Sequence, residues 1–172
     1  MPYLERVLKF ATNVHKGQIR RGSKLPYIVH PMDVAKKVEQ YFGDDDVQIA
    51  AALLHDVIED CGVTYSELIS EFGLPCADMV VSLTSDEDEI NRIGKNNYLI
   101  SKMIDMDDKT FEVKLCDRLS NVFDEPREKY VRNTLKMMIQ LEQNRNKITS
   151  KQEIVMLKIR MVCLQFLTNL EG

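Results

Sequence analysis

Three observations predict an all-α fold. Apolar residues recur at three- and four-residue spacing along most of the chain, as they do on one face of a helix. Glycine and proline are scarce, 7 and 5 in 172 residues, which is few for a turn-rich β protein. Alternation of apolar and polar residues never persists beyond about five positions, so no strand is expected. A chain that is 44% hydrophobic and 29% charged is globular, and its length allows a sizeable core. No internal repeat, low-complexity tract or linker divides it, so residues 1–172 read as a single domain, a helical bundle of about eight to ten helices.

The elements follow in order. Leu4, Val7, Leu8, Ala11 and Val14 predict a first helix over residues 3–16. Gly17, Gly22, Pro26 and Pro31 then break the pattern, and the loop they make is long enough to suggest a function. A second helix starts at Pro31 and carries Val34, Ala35, Val38, Tyr41 and Phe42 on one face. Gly43-Asp44-Asp45-Asp46 is the turn and N-cap into a third helix over 47–60. Thr64-Tyr65-Ser66-Glu67 is a capping-box pattern that opens a fourth, ended at Phe72-Gly73. Residues 75–84 form a fifth. Ser85 to Glu89 reads as an acidic solvated turn, and Arg92 and Lys95 follow it. Residues 90–106 and 110–123 are helical, a long helix follows Pro126 and runs to about Asn144, and Ser150-Lys151-Gln152-Glu153 reads as a capping box opening the last helix.

A net charge of −4 argues against a broad nucleic-acid surface, while a few local cations or a metal still permit a small anionic ligand. No apolar run approaches the roughly 18 residues that span a membrane. Cys61, Cys76, Cys116 and Cys163 are scattered, with no C-x-x-C pair, as in reduced proteins. The start, Met1-Pro2-Tyr3-Leu4-Glu5, does not resemble a signal peptide, and a cytoplasmic location is expected. Oligomeric state is not legible.

The third helix is unusual. From Val47 to Ile58 only Gln48, His55 and Asp56 are not apolar, so the segment is expected to be buried. At about 100° per residue, Val47, Ala50, Ala51, Leu54, Val57 and Ile58 form the core stripe. His55 and Glu59, four apart, lie beside it, with Asp56 next to them and Asp60 beyond. Buried carboxylates are costly unless paired or bound to metal, and acids at a helix C-terminus oppose the macrodipole. This flank is therefore expected to carry a site.

The partners lie elsewhere in the chain. His30 falls at the junction of the long loop and the second helix, in Pro26-Tyr27-Ile28-Val29-His30-Pro31. Asp117 falls in Val113-Lys114-Leu115-Cys116-Asp117-Arg118-Leu119-Ser120-Asn121, where Lys114, Asp117, Arg118 and Asn121 share the face opposite the core. Alone, each has an ordinary structural explanation, a cap for His30 and a solvated ion-paired face for Asp117. Together, His30, His55, Asp56 and Asp117 offer two imidazoles and two carboxylates, a mixed set that suits manganese, ferrous iron or zinc. His15 is expected to brace the loop through a hydrogen bond.

Four ordered motifs carry a resemblance: His15-x-Gly17-Gln18-x-Arg20, Pro26-Tyr27-Ile28-x-His30-Pro31, Leu54-His55-Asp56-Val57-x-Glu59-Asp60 and Lys114-Leu115-x-Asp117-Arg118-Leu119-x-Asn121. Over roughly residues 1–145 the chain resembles the HD-domain metal-dependent phosphohydrolases, and within them the alarmone hydrolases of RelA/SpoT homologues, in a stand-alone small form. The resemblance implies that His30, His55, Asp56 and Asp117 hold manganese and that Glu59 and Asp60 position and activate the attacking water. It implies that Arg20, Arg21 and Asn121, with Tyr130 lining the pocket, contact a small nucleotide. The implied reaction is hydrolysis of the 3′-pyrophosphate of guanosine 3′,5′-bis(diphosphate), or of its 5′-triphosphate counterpart, to GDP or GTP respectively and pyrophosphate. An adenosine alarmone or NADPH as substrate, or a non-catalytic nucleotide-binding module, are the alternatives. The chain departs from longer members of the family at Ser120, where they usually carry histidine, and at Phe123, where they often carry arginine. The loop from Arg20 to Pro26 is one residue longer than a common form.

Overall fold

The computed structural model describes residues 1–21, 24–124 and 127–171. The described residues form eleven helical segments and no strand, the all-α fold the spacing predicts. A lone antiparallel bridge, Ile19 to Pro26, lies in the long loop. The chain divides into two compact units, Met1–Ser85 and Asp86–Gly172.

The first unit holds α1 (Tyr3–Val14), α2 (Val29–Phe42), α3 (Asp46–Leu54), α4 (Val57–Cys61), α5 (Tyr65–Phe72) and α6 (Leu74–Leu83). α3 is its centre and packs against α1, α2 and α6. Every residue from Gln48 to Leu54 is buried, as an almost wholly apolar helix requires. Asp45 caps it by accepting from the Gln48 N–H at 2.9 Å. Full burial of Leu54 and of Leu68 contributes roughly 1.5–3 kcal/mol each. The predicted single helix over 47–60 is divided: α3 stops at Leu54, and α4 starts at Val57 after a kink at His55-Asp56. α4 ends on Gly62, whose φ of +69° is left-handed and suits glycine. The Thr64–Glu67 capping box is formed as predicted and holds the Glu67 carboxyl below the usual range.

The second unit holds α7 (Glu87–Ile93), α8 (Lys95–Asp105), α9 (Asp108–Asp124), α10 (Glu128–Asn144) and α11 (Ser150–Glu171). The predicted acidic turn is helical: Asp86 caps α7 by accepting from Glu89 N–H, and the acids of the first turn complement the dipole. The helix expected over 90–106 breaks at Gly94, with φ of +83°. α9 is the most buried element of this unit, with Phe111, Val113, Leu115, Cys116, Leu119 and Val122 inside. Arg145 ties its start to the end of α8. Its guanidinium donates to the carbonyls of Met103, Ile104 and Met106 at 2.9, 3.1 and 2.8 Å, pairs with Asp108 at 2.9 Å and lies 4.1 Å from the Phe111 ring centre. These carbonyls are the ones a helix C-terminus leaves without intrahelical partners. The capping box of α11 sits one residue earlier than predicted. Thr149 and Gln152 form it, with Thr149 N–H donating to Gln152 Oε1 and Gln152 N–H donating to Thr149 Oγ1. Gln152 is fully buried and donates onward to Glu112, which favours this register. Pro126, predicted to precede α10, lies outside the described residues. Among the described residues, no helix is long and apolar enough to cross a membrane.

Candidate metal centre

The break between α3 and α4 builds the site. Asp56 has φ −107° and ψ −1°, wider than a helical residue, yet its carbonyl still accepts from Asp60 N–H at 2.8 Å. On an unbroken helix the His55 and Asp56 side chains would diverge by about 100°. Here Asp56 Oδ2 lies 2.9 Å from His55 Nε2. α2 brings His30 Nε2 to 3.9 Å from the same oxygen. One ligand atom from each of His30, His55 and Asp56 falls within 4.8 Å of the others. Both histidines are 2% exposed, and Asp56 is half-buried.

The surroundings fix these groups. His55 Nδ1 lies 2.8 Å from the Ala52 carbonyl. A carbonyl only accepts, so Nδ1 carries a proton and Nε2 is the ring atom turned toward Asp56. Tyr27 O–H donates to Asp56 Oδ2 at 2.6 Å, and burial, together with that contact, pushes the phenol pKa far above its ordinary value. The rings of His15, Tyr27, His30 and His55 follow one another at centroid distances of 4.9, 5.9 and 5.2 Å. The predicted brace is present: buried His15 meets Gln18 Oε1 through Nδ1 at 2.7 Å, and Gln18 Nε2 donates to the Asp60 carbonyl at 3.1 Å. The long loop is thereby tied to α4. Its two arms are also joined by Tyr27 N–H to Gln18 O at 2.9 Å and Arg20 N–H to Leu25 O at 2.8 Å.

Two imidazoles and one carboxylate, with a carbonyl fixing one tautomer and a hydroxyl orienting the acid, suit a divalent transition metal. Tyr27 is the member that sequence reasoning gave no role. Its signal was a hydroxyl-bearing ring one helical turn before His30 in an otherwise apolar run, but its partner lies 29 residues away.

The other predicted residues are placed as follows. Glu59 is exposed, and its carboxylate accepts the Ser85 backbone N–H. Asp60 is also exposed as a residue, yet partial burial of its carboxyl raises its pKa, with the Asp56 and Glu59 charges adding to the rise. The Arg20 guanidinium lies 5.7 Å from the Tyr27 ring centre, and Arg21 is exposed. Gly22 and Ser23 of the same loop lie outside the described residues. In the second unit Asp117 is 9% exposed, accepts from Asn121 Nδ2 at 2.6 Å and pairs with Lys114 Nζ at 3.2 Å. The face opposite the core is buried at Asp117 and Arg118. Arg118 is 7% exposed, and its guanidinium lies 4.9 Å from the ring centre of half-buried Tyr130. Burial raises the Tyr130 phenol pKa against the opposing pull of Arg118. Ser120 is fully buried and Phe123 is exposed.

An all-helical fold with a His, His-Asp group on adjoining helices defines a metal-binding helical hydrolase scaffold, and comparison with known proteins agrees. The chain belongs to the HD-domain family, whose model matches residues 7–146. It is 35% identical over 128 residues to the guanosine-3′,5′-bis(diphosphate) 3′-pyrophosphohydrolase of Aquifex aeolicus, a match covering 69% of this chain and 17% of that protein. It is 32% identical over 123 residues to the guanosine-3′,5′-bis(diphosphate) 3′-pyrophosphohydrolase MESH1 of Danio rerio, covering 70% of this chain and 68% of that one. The chain thus spans less than a fifth of the long relative and about two thirds of the short one. A solved structure described as a metazoan ortholog of SpoT that hydrolyses ppGpp shares the fold, with a TM-score of 0.79 at 21% identity over 96% of both chains.

Proposed function

We propose that this protein is a manganese-dependent hydrolase of the 3′-pyrophosphate of guanosine 3′,5′-bis(diphosphate) and of its 5′-triphosphate counterpart, releasing pyrophosphate and, respectively, GDP or GTP. The observation that carries the proposal is the His30, His55 and Asp56 group, held in ligand geometry by Ala52 and Tyr27, in a chain of the HD family whose relatives bear that name. We propose Asp117 as the fourth ligand. The chain is read as one domain, a reading supported by a family match that runs through both compact units. A cytoplasmic location is supported by four cysteines that form no disulfide.

A divalent cation in this group supplies Lewis acidity and lowers the pKa of bound water. The chain's own residues do the rest. Tyr27 keeps one lone pair of Asp56 Oδ2 engaged and so fixes the direction of the carboxylate. Asp60, whose pKa is raised by burial and by the neighbouring Asp56 and Glu59 charges, takes the proton of the attacking water. Glu59, anchored by the Ser85 N–H, orients that water. Arg20 and Arg21 offset the charge that gathers on the leaving pyrophosphate, and Asn121 and Tyr130 contact the nucleoside.

The test is a product assay with manganese on guanosine 3′,5′-bis(diphosphate), its adenosine counterpart and NADPH. Pyrophosphate and GDP from the guanosine substrate, formed fastest of the three, are expected. Faster turnover of an adenosine substrate or NADPH corrects the substrate, and tight nucleotide binding with no product from any of them makes the protein a binding module.

A further inference from the structure

α11 carries two apolar stripes on nearly opposite faces. Val155, Met156, Ile159 and Cys163 are buried, on a helix that packs against α9 and α10. Ile154, Leu157, Met161 and Leu164 are between 55% and 62% exposed. Single exposed apolar residues are ordinary. Four large ones in a row, separated by three, four and three residues, are the a/d repeat of a coiled-coil seam. At about 100° per residue this stripe lies some 165° from the buried one, so it points directly away from the unit that α11 completes.

We infer that this face pairs with the same face of a second copy of the chain, as a parallel two-stranded coil about a two-fold axis running along α11. The sequence of the stripe selects that occupant. Ile154 and Met161 take a positions and Leu157 and Leu164 take d positions; a β-branched a residue with leucine at d favours two parallel strands. The flanks are self-complementary in that orientation. Glu153 is a g residue and Lys158 the following e residue, so each Glu153 meets Lys158 of the other copy, twice across the axis. In an antiparallel pair e faces e and g faces g, which sets Lys158 against Lys158 and Arg160 against Arg160. Because the buried and exposed stripes are on opposite faces, the two bodies lie on either side of the seam. Two heptads cover less than the roughly 800 Å² per partner of a tight interface, so the dimer is a reversible one.

Sedimentation equilibrium of the full chain over a concentration series tests the inference. The wild type shifts from monomer to dimer as concentration rises. L157E/M161E stays monomeric throughout, while its helicity and manganese binding are unchanged, because both residues are exposed. Glu153→Lys alone and Lys158→Glu alone each weaken association by about tenfold, and E153K/K158E restores it. A wild type that stays monomeric at every concentration overturns the inference, as does a dimer indifferent to L157E/M161E. Failure of the double exchange to restore association overturns the parallel arrangement.

Discussion

Asp56, in the break between α3 and α4, and Asp117, within α9, are carboxylates in different compact units, and they are supported differently. Asp56 receives a neutral hydroxyl at 2.6 Å and faces two imidazoles. Asp117 receives an ammonium at 3.2 Å and an amide at 2.6 Å. A hydroxyl orients a carboxylate without neutralising it, whereas an ammonium does both. The Asp56 region thus sets an oriented carboxylate beside two imidazoles, a donor set that suits a cation. The Asp117 region already carries a counter-charge, and a metal there competes with Lys114.

The largest effect that separates the two regions is expected from Asp56→Ala. Manganese-dependent turnover falls by at least about 10³-fold, read as pyrophosphate release, with the far-UV circular dichroism unchanged. Next comes Asp117→Asn, which lowers manganese affinity by about 10²-fold in calorimetry if Asp117 is a ligand, whereas Lys114→Met raises affinity by removing the competing ammonium. Equal affinity in wild type and Asp117→Asn assigns Asp117 to ion pairing alone. Tyr27→Phe keeps the ring contacts and removes only the hydroxyl, so it weakens manganese binding by about tenfold, the ordinary cost of losing a group that orients a ligand.

Arg145→Ala is the control in the second unit. It removes the guanidinium donor from three carbonyls and from Asp108, which keeps Gln152, lowering stability by about 3 kcal/mol in urea denaturation while leaving metal affinity unchanged. The sign of its pH dependence follows from Asp108, whose carboxyl Arg145 holds below the ordinary range. A depressed carboxyl pKa adds stability above its unfolded value and loses it as pH falls through the folded one. The gap between wild type and Arg145→Ala therefore narrows on acidification below about pH 4.

Helices with a single apolar face, such as α1 and α2, were legible because spacing alone fixes which side is buried. The Thr64–Glu67 cap was legible because both partners lie within one turn. The kink at His55-Asp56 was not, since an apolar run continues through it and Val57 and Ile58 keep the helical spacing. The split at Gly94 was masked in the same way, with Ile90 and Ile93 before it and Tyr98 and Leu99 after it on a shared period. Thr149 and Ser150 both head a four-residue capping pattern, and only the burial of Gln152 decides between them. The pair His55-Asp56 and the isolated His30 named the metal group, but Tyr27 needed the fold, because its hydroxyl finds Asp56 only when the loop is tied down through Gln18. Arg118 lies on the polar face of α9, and the Tyr130 ring beside it could not be read from spacing because it comes from another helix.

The central claim is that His30, His55 and Asp56 hold the cation on which hydrolysis depends. Manganese titration followed by electron paramagnetic resonance, on wild type and His55→Ala side by side, tests it most directly. The account predicts one saturable site in the wild type whose affinity collapses in His55→Ala, with pyrophosphate release lost in parallel. Undiminished manganese binding and turnover in folded His55→Ala would contradict it.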